Sequence, residues 1–299
     1  MIISASRRTD IPAFYMAWFV RRLRAGFVLV PNPFNPHQVQ RVSLLPEDVD
    51  AIVFWTKNPA PLLPHLDEIT RAGIPVFVHQ TITAYPSMVE PGSPGRAEAT
   101  RLFRELSRRV GASRLVWRYD PLFFGKGWEE SSHLEAIERI AAELAGSTGR
   151  LMLGFLRQYR KTIRNLRRVL DGEEMASLST RPCALTTERF LREVEVRAAA
   201  SGMEVRVCAA DEDLICAGAL PGACIDAEML RVHGVTVLPI RDPGQRAACR
   251  CVPSRDIGMY DSCGNGCVYC YANRSPEIGA RNLQLHHHPD EASLLGLHR

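Results

Sequence analysis

"AIVFWT", residues 51–56, contains no charged residue and only one polar one. A strand with one wet face alternates apolar and polar residues. A run this uniformly apolar reads instead as a strand buried on both faces, as in parallel sheets. Working outward, runs of the same kind recur at "PVFVHQTI" (75–82), "RLVWRYD" (114–120), "RLMLGFL" (150–156) and "EVRVCAA" (204–210), with "MIISAS" (1–6) upstream. The segments between them carry helical periodicity. In 12–25, Tyr15, Trp18, Phe19 and Leu23 share one face; in 95–110, Leu102, Phe103 and Leu106 do the same, and Gly111 stands where a helix C-cap is expected. Alternating β and α units predict an α/β fold with a parallel sheet and right-handed crossovers. No Gly-rich phosphate turn follows the first strand, so the expectation is a partial or closed (β/α) TIM-like barrel rather than an open doubly wound sheet. "GFVLVPNPFNPHQVQRVSL" (26–44) interrupts the rhythm and reads as an inserted hairpin around an Asn/Pro-rich turn.

Residues 215–299 differ: periodic segments shorten, and Gly, Pro and Cys become frequent. The expected organisation is a barrel-like domain over 1–214 and an irregular, cysteine-rich, cluster-binding segment over 215–299 packed on the barrel mouth.

The chain has 299 residues, a formal net charge of +4 and nine cysteines. No apolar run is long enough to span a membrane, and "MIISASRRTD" lacks the apolar core of a secretory signal, so a cytoplasmic protein without a membrane partner is expected. In a reducing compartment many cysteines point to metal or cluster binding rather than disulfides. All nine lie at or beyond Cys183. The basic bias concentrates in "RQYRKTIRNLRR" (157–168), with six cations and no acid, which reads as a solvated helix face or an anion or nucleic-acid surface.

In a (β/α) barrel the strands' C-terminal ends share one mouth, where active sites sit. Here those ends are polar: Ser4, Ser6, Arg7, Arg8, Thr9 and Asp10 after the first; Thr56, Lys57 and Asn58 after the second; His79, Gln80 and Thr81 on the third; Arg118, Tyr119 and Asp120 on the fourth. Tyr159 follows the fifth, and Cys208, Asp211 and Glu212 the sixth. Arg7, Arg8, Lys57 and Arg118 are candidates for binding anionic groups. Asp10, Asp120 and Glu212 are candidates for hydroxyl or amine recognition, although Asp10 also suits a helix cap.

"DSCGNGCVYCYANRS" (261–275) places Cys263, Cys267 and Cys270 in a C-x3-C-x2-C array. Three thiolates can grip three irons of a [4Fe–4S] cluster and leave the fourth open to a small molecule. Gly264 and Gly266 supply the permissive backbone such a loop needs. This array, with the aromatic Tyr269 just before the last cysteine, resembles the signature of radical S-adenosylmethionine (radical SAM) enzymes. The resemblance implies that Cys263, Cys267 and Cys270 bind the cluster, that Tyr269 lies near the adenine, and that S-adenosylmethionine is cleaved reductively with electrons from an external donor. "CVYCYAN" is also similar to the loop of the spore-photoproduct-lyase branch, and that resemblance implies a nucleic acid or nucleotide-like substrate, while a small molecule such as a natural product, or a peptide, is equally compatible. In that superfamily the loop follows the first strand; here it comes after all the β–α units. The full chain resembles the domain-of-unknown-function 1848 family, whose members open like "MIISASRRTDIPAFY", carry stretches like "FWTKNP" and "RYDPL", and end in such a cysteine cluster.

Cys208, Cys224, Cys249 and Cys251 form a second set of four, enough for another [4Fe–4S] cluster or a Zn(Cys)4 site. Alternatively, Cys249 or Cys251 joins the 263–270 loop in a four-cysteine zinc knuckle. The functional expectations are a radical SAM-like enzyme or, as the alternative, a zinc-stabilised nucleic-acid-binding protein without catalysis. A non-catalytic electron carrier fits less well, because carriers usually close all four cluster positions.

Overall fold

The computed structural model describes residues 1–183 and 185–297. Its main sheet has eight strands: β1 (Ile2–Ala5), β4 (Ala51–Thr56), β5 (Val76–Thr81), β6 (Leu115–Leu122), β7 (Arg150–Phe155), β8 (Glu204–Cys208), and two short strands, β9 (Pro221–Gly222) and β10 (Arg255–Asp256). Their order is β10-β1-β4-β5-β6-β7-β8-β9, and every pairing is parallel. The sheet curls into a half-barrel whose edge strands do not pair with each other among the described residues, so of the two barrel forms expected the closed one is not formed. β2 (Phe27–Asn32) and β3 (Asn35–Ser43) make the expected antiparallel hairpin outside it.

The helices are α1 (Ile11–Phe14), α2 (Met16–Ala25), α3 (Leu66–Arg71), α4 (Arg96–Val110), α5 (Glu130–Leu144), α6 (Arg160–Leu166), α7 (Gly172–Ser177), α8 (Thr187–Ala199), α9 (Glu212–Cys216), α10 (Ala227–Arg231) and α11 (Pro276–His286). The single helix read over 12–25 is split at Tyr15, whose φ of −130° leaves the helical range; its hydroxyl donates to the carbonyl of Ser262 at 2.6 Å. None of the helices among the described residues is long and apolar enough to cross a membrane.

The uniform apolarity of β4 has a direct cause. Ile52 and Phe54 face a core completed by the helices, with Trp18, Phe19, Leu102, Phe103 and Ile137. Ala51, Val53 and Trp55 face the other way and pack, with Phe77, Val116 and Met152, against Ile225, Met229, Leu230 and Val252. Residues 224–252 thus cover the second face of the sheet, and both faces are dry.

Candidate functional site: a cleft at the strand ends

Because the strands are parallel, their C-terminal ends open on one edge. There a cleft of about 440 Å³ is lined by Arg7, Arg8, Asp10, Lys57, Arg118 and Asp120 and by Cys208, Cys224, Cys249, Cys251, Cys263, Cys267 and Cys270. Tyr269 and Tyr159 also line it. Side-chain alternation decides which strand-end residues arrive. Arg118 and Asp120, two apart on β6, point into the cleft and form an ion pair, whereas Tyr119 between them points to the core and hydrogen-bonds His133 at 2.9 Å. His79 is not in the cleft. It stacks on Trp55 with centroids 4.5 Å apart, and its Nε2 lies 2.7 Å from the carbonyl oxygen of Cys224. Burial, reinforced by Arg118, holds its pKa down at about 3. Gln80 turns the other way and donates to Ala99, and Glu212 opens α9 outside the cleft.

Three anchors seat the cysteine loop. Asp10 both caps α1, accepting from the backbone of Ala13 at 3.0 Å, and accepts at its other oxygen from Lys57 N and from Asn265 Nδ2, each at 2.8 Å. Its burial raises the carboxyl's pKa despite those hydrogen bonds. Residues 89–92 form the second anchor, with Val268 N donating to Val89 O at 3.1 Å and Gly92 N to Asn265 O at 2.9 Å. The third is α11, whose Gly279 approaches so closely that a Cβ there would lie 1.8 Å from the Cys263 carbonyl oxygen. Of the loop glycines, Gly266 has φ +69°, a left-handed conformation, and Gly264 packs against the Phe14 ring. The loop therefore comes from the far end of the sequence but sits beside the turn that follows β1.

Glu90 was not evident from sequence. It is 5% exposed and accepts from Lys57 Nζ at 2.8 Å, Thr83 Oγ1 at 2.7 Å, Ser93 Oγ at 3.0 Å and the Tyr269 hydroxyl. Burial works to raise its pKa, but the Lys57 ammonium and these donors outweigh it and hold the carboxyl below its ordinary range. Asp256 is similar: it accepts from Ser4, Ser6, Arg8 and the backbone of Arg7, and so fixes the turn after β1. Trp55 was also missed; the Arg7 and Arg118 guanidiniums lie 5.4 and 5.0 Å from its ring centroid.

All nine cysteines are unbridged. Those in the cleft fall into two groups. Cys208 and Cys224 have sulfurs 3.6 Å apart, and Cys251 makes sulfur contacts with both Cys224 and Cys249. Cys263, Cys267 and Cys270 line the cleft together from one loop. Burial pushes the Cys263 thiol up to about 12. No three His, Cys, Asp or Glu side chains among the described residues surround a single ion-sized point as they stand. Half of the basic stretch 157–168 is engaged within the chain: Arg157 pairs with Asp211, Arg164 donates to the Arg274 carbonyl, and Arg168 pairs with Glu277.

No curated protein matches the chain. A family model described as "Domain of unknown function (DUF1848)" matches residues 2–272, which takes in the strand ends, the cleft and the whole C-x3-C-x2-C array. The chain belongs to the DUF1848 family.

Proposed function

We propose that the protein is a cytoplasmic radical SAM-type enzyme in which Cys263, Cys267 and Cys270 hold a [4Fe–4S] cluster and the adjoining cleft takes S-adenosylmethionine and a substrate. The observation that carries this reading is the shared cleft, in which three thiols on one short loop face Arg7, Lys57, Arg118 and Asp120 from the strand ends. The loop's seat beside the turn after β1 supports it further, since that is where the resemblance would put such a loop. On this reading residues 215–299 form a cysteine-rich, cluster-binding cap on the mouth of the half-barrel.

The donor set suits a thiolate-ligated cluster. Cys270 Sγ accepts from the backbone N–H groups of Ala272 and Asn273 at 3.3 and 3.4 Å, and Cys263 Sγ from Asn265 Nδ2 at 3.6 Å. Such N–H···S bonds favour the thiolate and tune a cluster's potential. Lys57 adds a buried ammonium near Cys267. When bound, the cluster supplies one electron that cleaves the sulfonium of S-adenosylmethionine.

The chain's own residues bind and orient. Arg118 and Arg7 offer guanidinium donors for a carboxylate or phosphate, both within 5.4 Å of the Trp55 ring centroid. Asp120 stands beside Arg118 as an acceptor for an amine or hydroxyl. Gly154 makes room for it, because a Cβ there would fall 2.2 Å from an Asp120 carboxylate oxygen. Glu90 fixes the Tyr269 hydroxyl and thereby the ring's position in the cleft wall. Anaerobic reconstitution with iron and sulfide, followed by S-adenosylmethionine and dithionite, is expected to yield 5′-deoxyadenosine. The product should vanish in Cys267→Ala. A cluster-loaded protein that yields none contradicts the enzyme reading and leaves the zinc-stabilised nucleic-acid-binding alternative.

A further inference from the structure

We propose that Cys208, Cys224, Cys249 and Cys251 form a second thiophilic metal centre, either one zinc ion or one iron–sulfur cluster, in the wall of the same cleft as the three-cysteine loop. The four come from separate places: the end of β8, the loop after β9, and two positions in the 249–251 turn. Sequence separation alone would not bring them together, yet all four line the same cleft, and their thiols follow one another in a chain, although they do not yet close around one point. Cys208 and Cys224 Sγ are 3.6 Å apart, close to the roughly 3.8 Å edge of a tetrahedron with metal–sulfur bonds of about 2.3 Å. Cys251 touches both Cys224 and Cys249, and its sulfur also accepts from the backbone N–H of Ile225 at 3.4 Å.

The surrounding charge points the same way. Arg7 lies against Cys251 and, with Arg118, is among the charges nearest Cys224; Arg118 is also near Cys208, as is the exposed Arg246. Arg7 Nη2 and Arg118 Nε are buried without an acceptor among the described residues. Arg118 has Asp120 as a partner, and Asp256 near Arg7 is already engaged by Arg8. The two buried, acceptor-free guanidinium nitrogens make the surroundings of these sulfurs locally positive, which is costly when buried. Four thiolates on a zinc ion or on an oxidised [4Fe–4S] cluster carry a net charge of about −2, which offsets it. The thiols now hydrogen-bond to one another in a chain. As each metal–sulfur bond forms, the S–H bond it replaces releases its proton to solvent.

The centre also has structural work. Residues 224–252 cover one face of the sheet with little regular structure besides α10, and three of the four ligands lie in that stretch. A metal there would cross-link the segment to β8.

The test does not depend on the three-cysteine loop. The full-length Cys263→Ala, Cys267→Ala, Cys270→Ala triple variant is purified anaerobically and assayed for zinc, iron and acid-labile sulfide. It should retain about one zinc, or about four irons with matching sulfide, per chain. Adding Cys224→Ser and Cys251→Ser should lower that content at least about tenfold. If the fivefold variant does not fold, X-ray absorption on the triple variant decides: a sulfur-only shell near 2.3 Å is expected, to within about 0.1 Å. A folded triple variant without stoichiometric metal overturns the proposal, as does metal that survives the two further substitutions or a shell of nitrogen and oxygen. Retained metal in a triple variant that makes no 5′-deoxyadenosine leaves this proposal standing, whatever becomes of the enzyme reading.

Discussion

Gly279→Ala isolates the seating of the cysteine loop. Gly279 lies on α11, and an added Cβ would sit 1.8 Å from the carbonyl oxygen of Cys263, where real Cβ atoms stop at about 3.0 Å. Loop and helix must therefore separate by about 1.2 Å. The obstacle is backbone, so no side-chain rotation relieves it. The same Cβ would come within 2.6 Å of Asn273 Nδ2, which donates to that carbonyl at 2.7 Å. Overpacking of this kind costs about 1–3 kcal/mol, and loss of the hydrogen bond adds about 1 kcal/mol. The sum, about 2–4 kcal/mol, corresponds to a fall in Tm of about 4–8 °C at roughly 2 °C per kcal/mol. The assay is thermal unfolding of the wild type and variant side by side, with iron retained after anaerobic desalting as a second readout. Gly172→Ala is the control: a Cβ there meets nothing within 4 Å and its φ is not positive, so its Tm should move by no more than about 1 °C. A Gly279→Ala protein with wild-type Tm and wild-type iron retention would refute the claim that α11 clamps this loop.

Three further outcomes follow from the same geometry. Lys57→Met leaves Glu90 buried, 5% exposed, without its cation, and should cost about 3–5 kcal/mol in urea unfolding; Lys57→Met with Glu90→Leu should recover most of it, and equal losses in the two variants would argue against a mutually dependent pair. His133 is buried between the Tyr119 hydroxyl and the Phe123 carbonyl, and burial lowers its pKa below 6.5 despite that carbonyl. Below pH 6.5 the unfolded chain takes up a proton that the folded ring refuses, so stability should fall with pH by at most about 1.4 kcal/mol per unit until the buried ring itself protonates; His133→Gln should flatten that slope, and an unchanged slope would remove His133 as its source. Filter binding of single-stranded RNA between 50 and 200 mM salt should show only weak retention, because three of the six cations in 157–168 are tied to Asp211, Glu277 and the Arg274 carbonyl; tight binding with a steep salt slope would favour the nucleic-acid alternative.

β1, β4, β5 and β7 were legible because they are buried on both faces and so carry nearly unbroken apolar runs, β6 and β8 because apolar residues still fill their buried positions around Arg118, Asp120 and Arg206, and the hairpin because its Asn/Pro turn is a local signal. β9 and β10 were not, since two residues carry no periodicity and their pairing is imposed by the chain around them. The same division holds at the cleft. Arg7, Lys57, Arg118 and Asp120 could be read because they sit at strand ends, and the three-cysteine loop because of its spacing. Glu90 and Asp256 could not, as each is an ordinary loop or edge acid until folding surrounds it with donors. His79 shows the converse: a strand-end position made it look like a cleft residue, but the side-chain alternation of β5 puts it against Trp55, in register with it on β4.

The most direct measurement is the electron paramagnetic resonance spectrum of the dithionite-reduced, cluster-loaded protein with and without S-adenosylmethionine. If the three thiols leave one iron facing Arg118 and Asp120, adding S-adenosylmethionine should shift the signal's g values, and that S-adenosylmethionine-dependent shift should disappear in Cys267→Ala. A reduced-cluster signal that S-adenosylmethionine leaves unchanged would contradict the account.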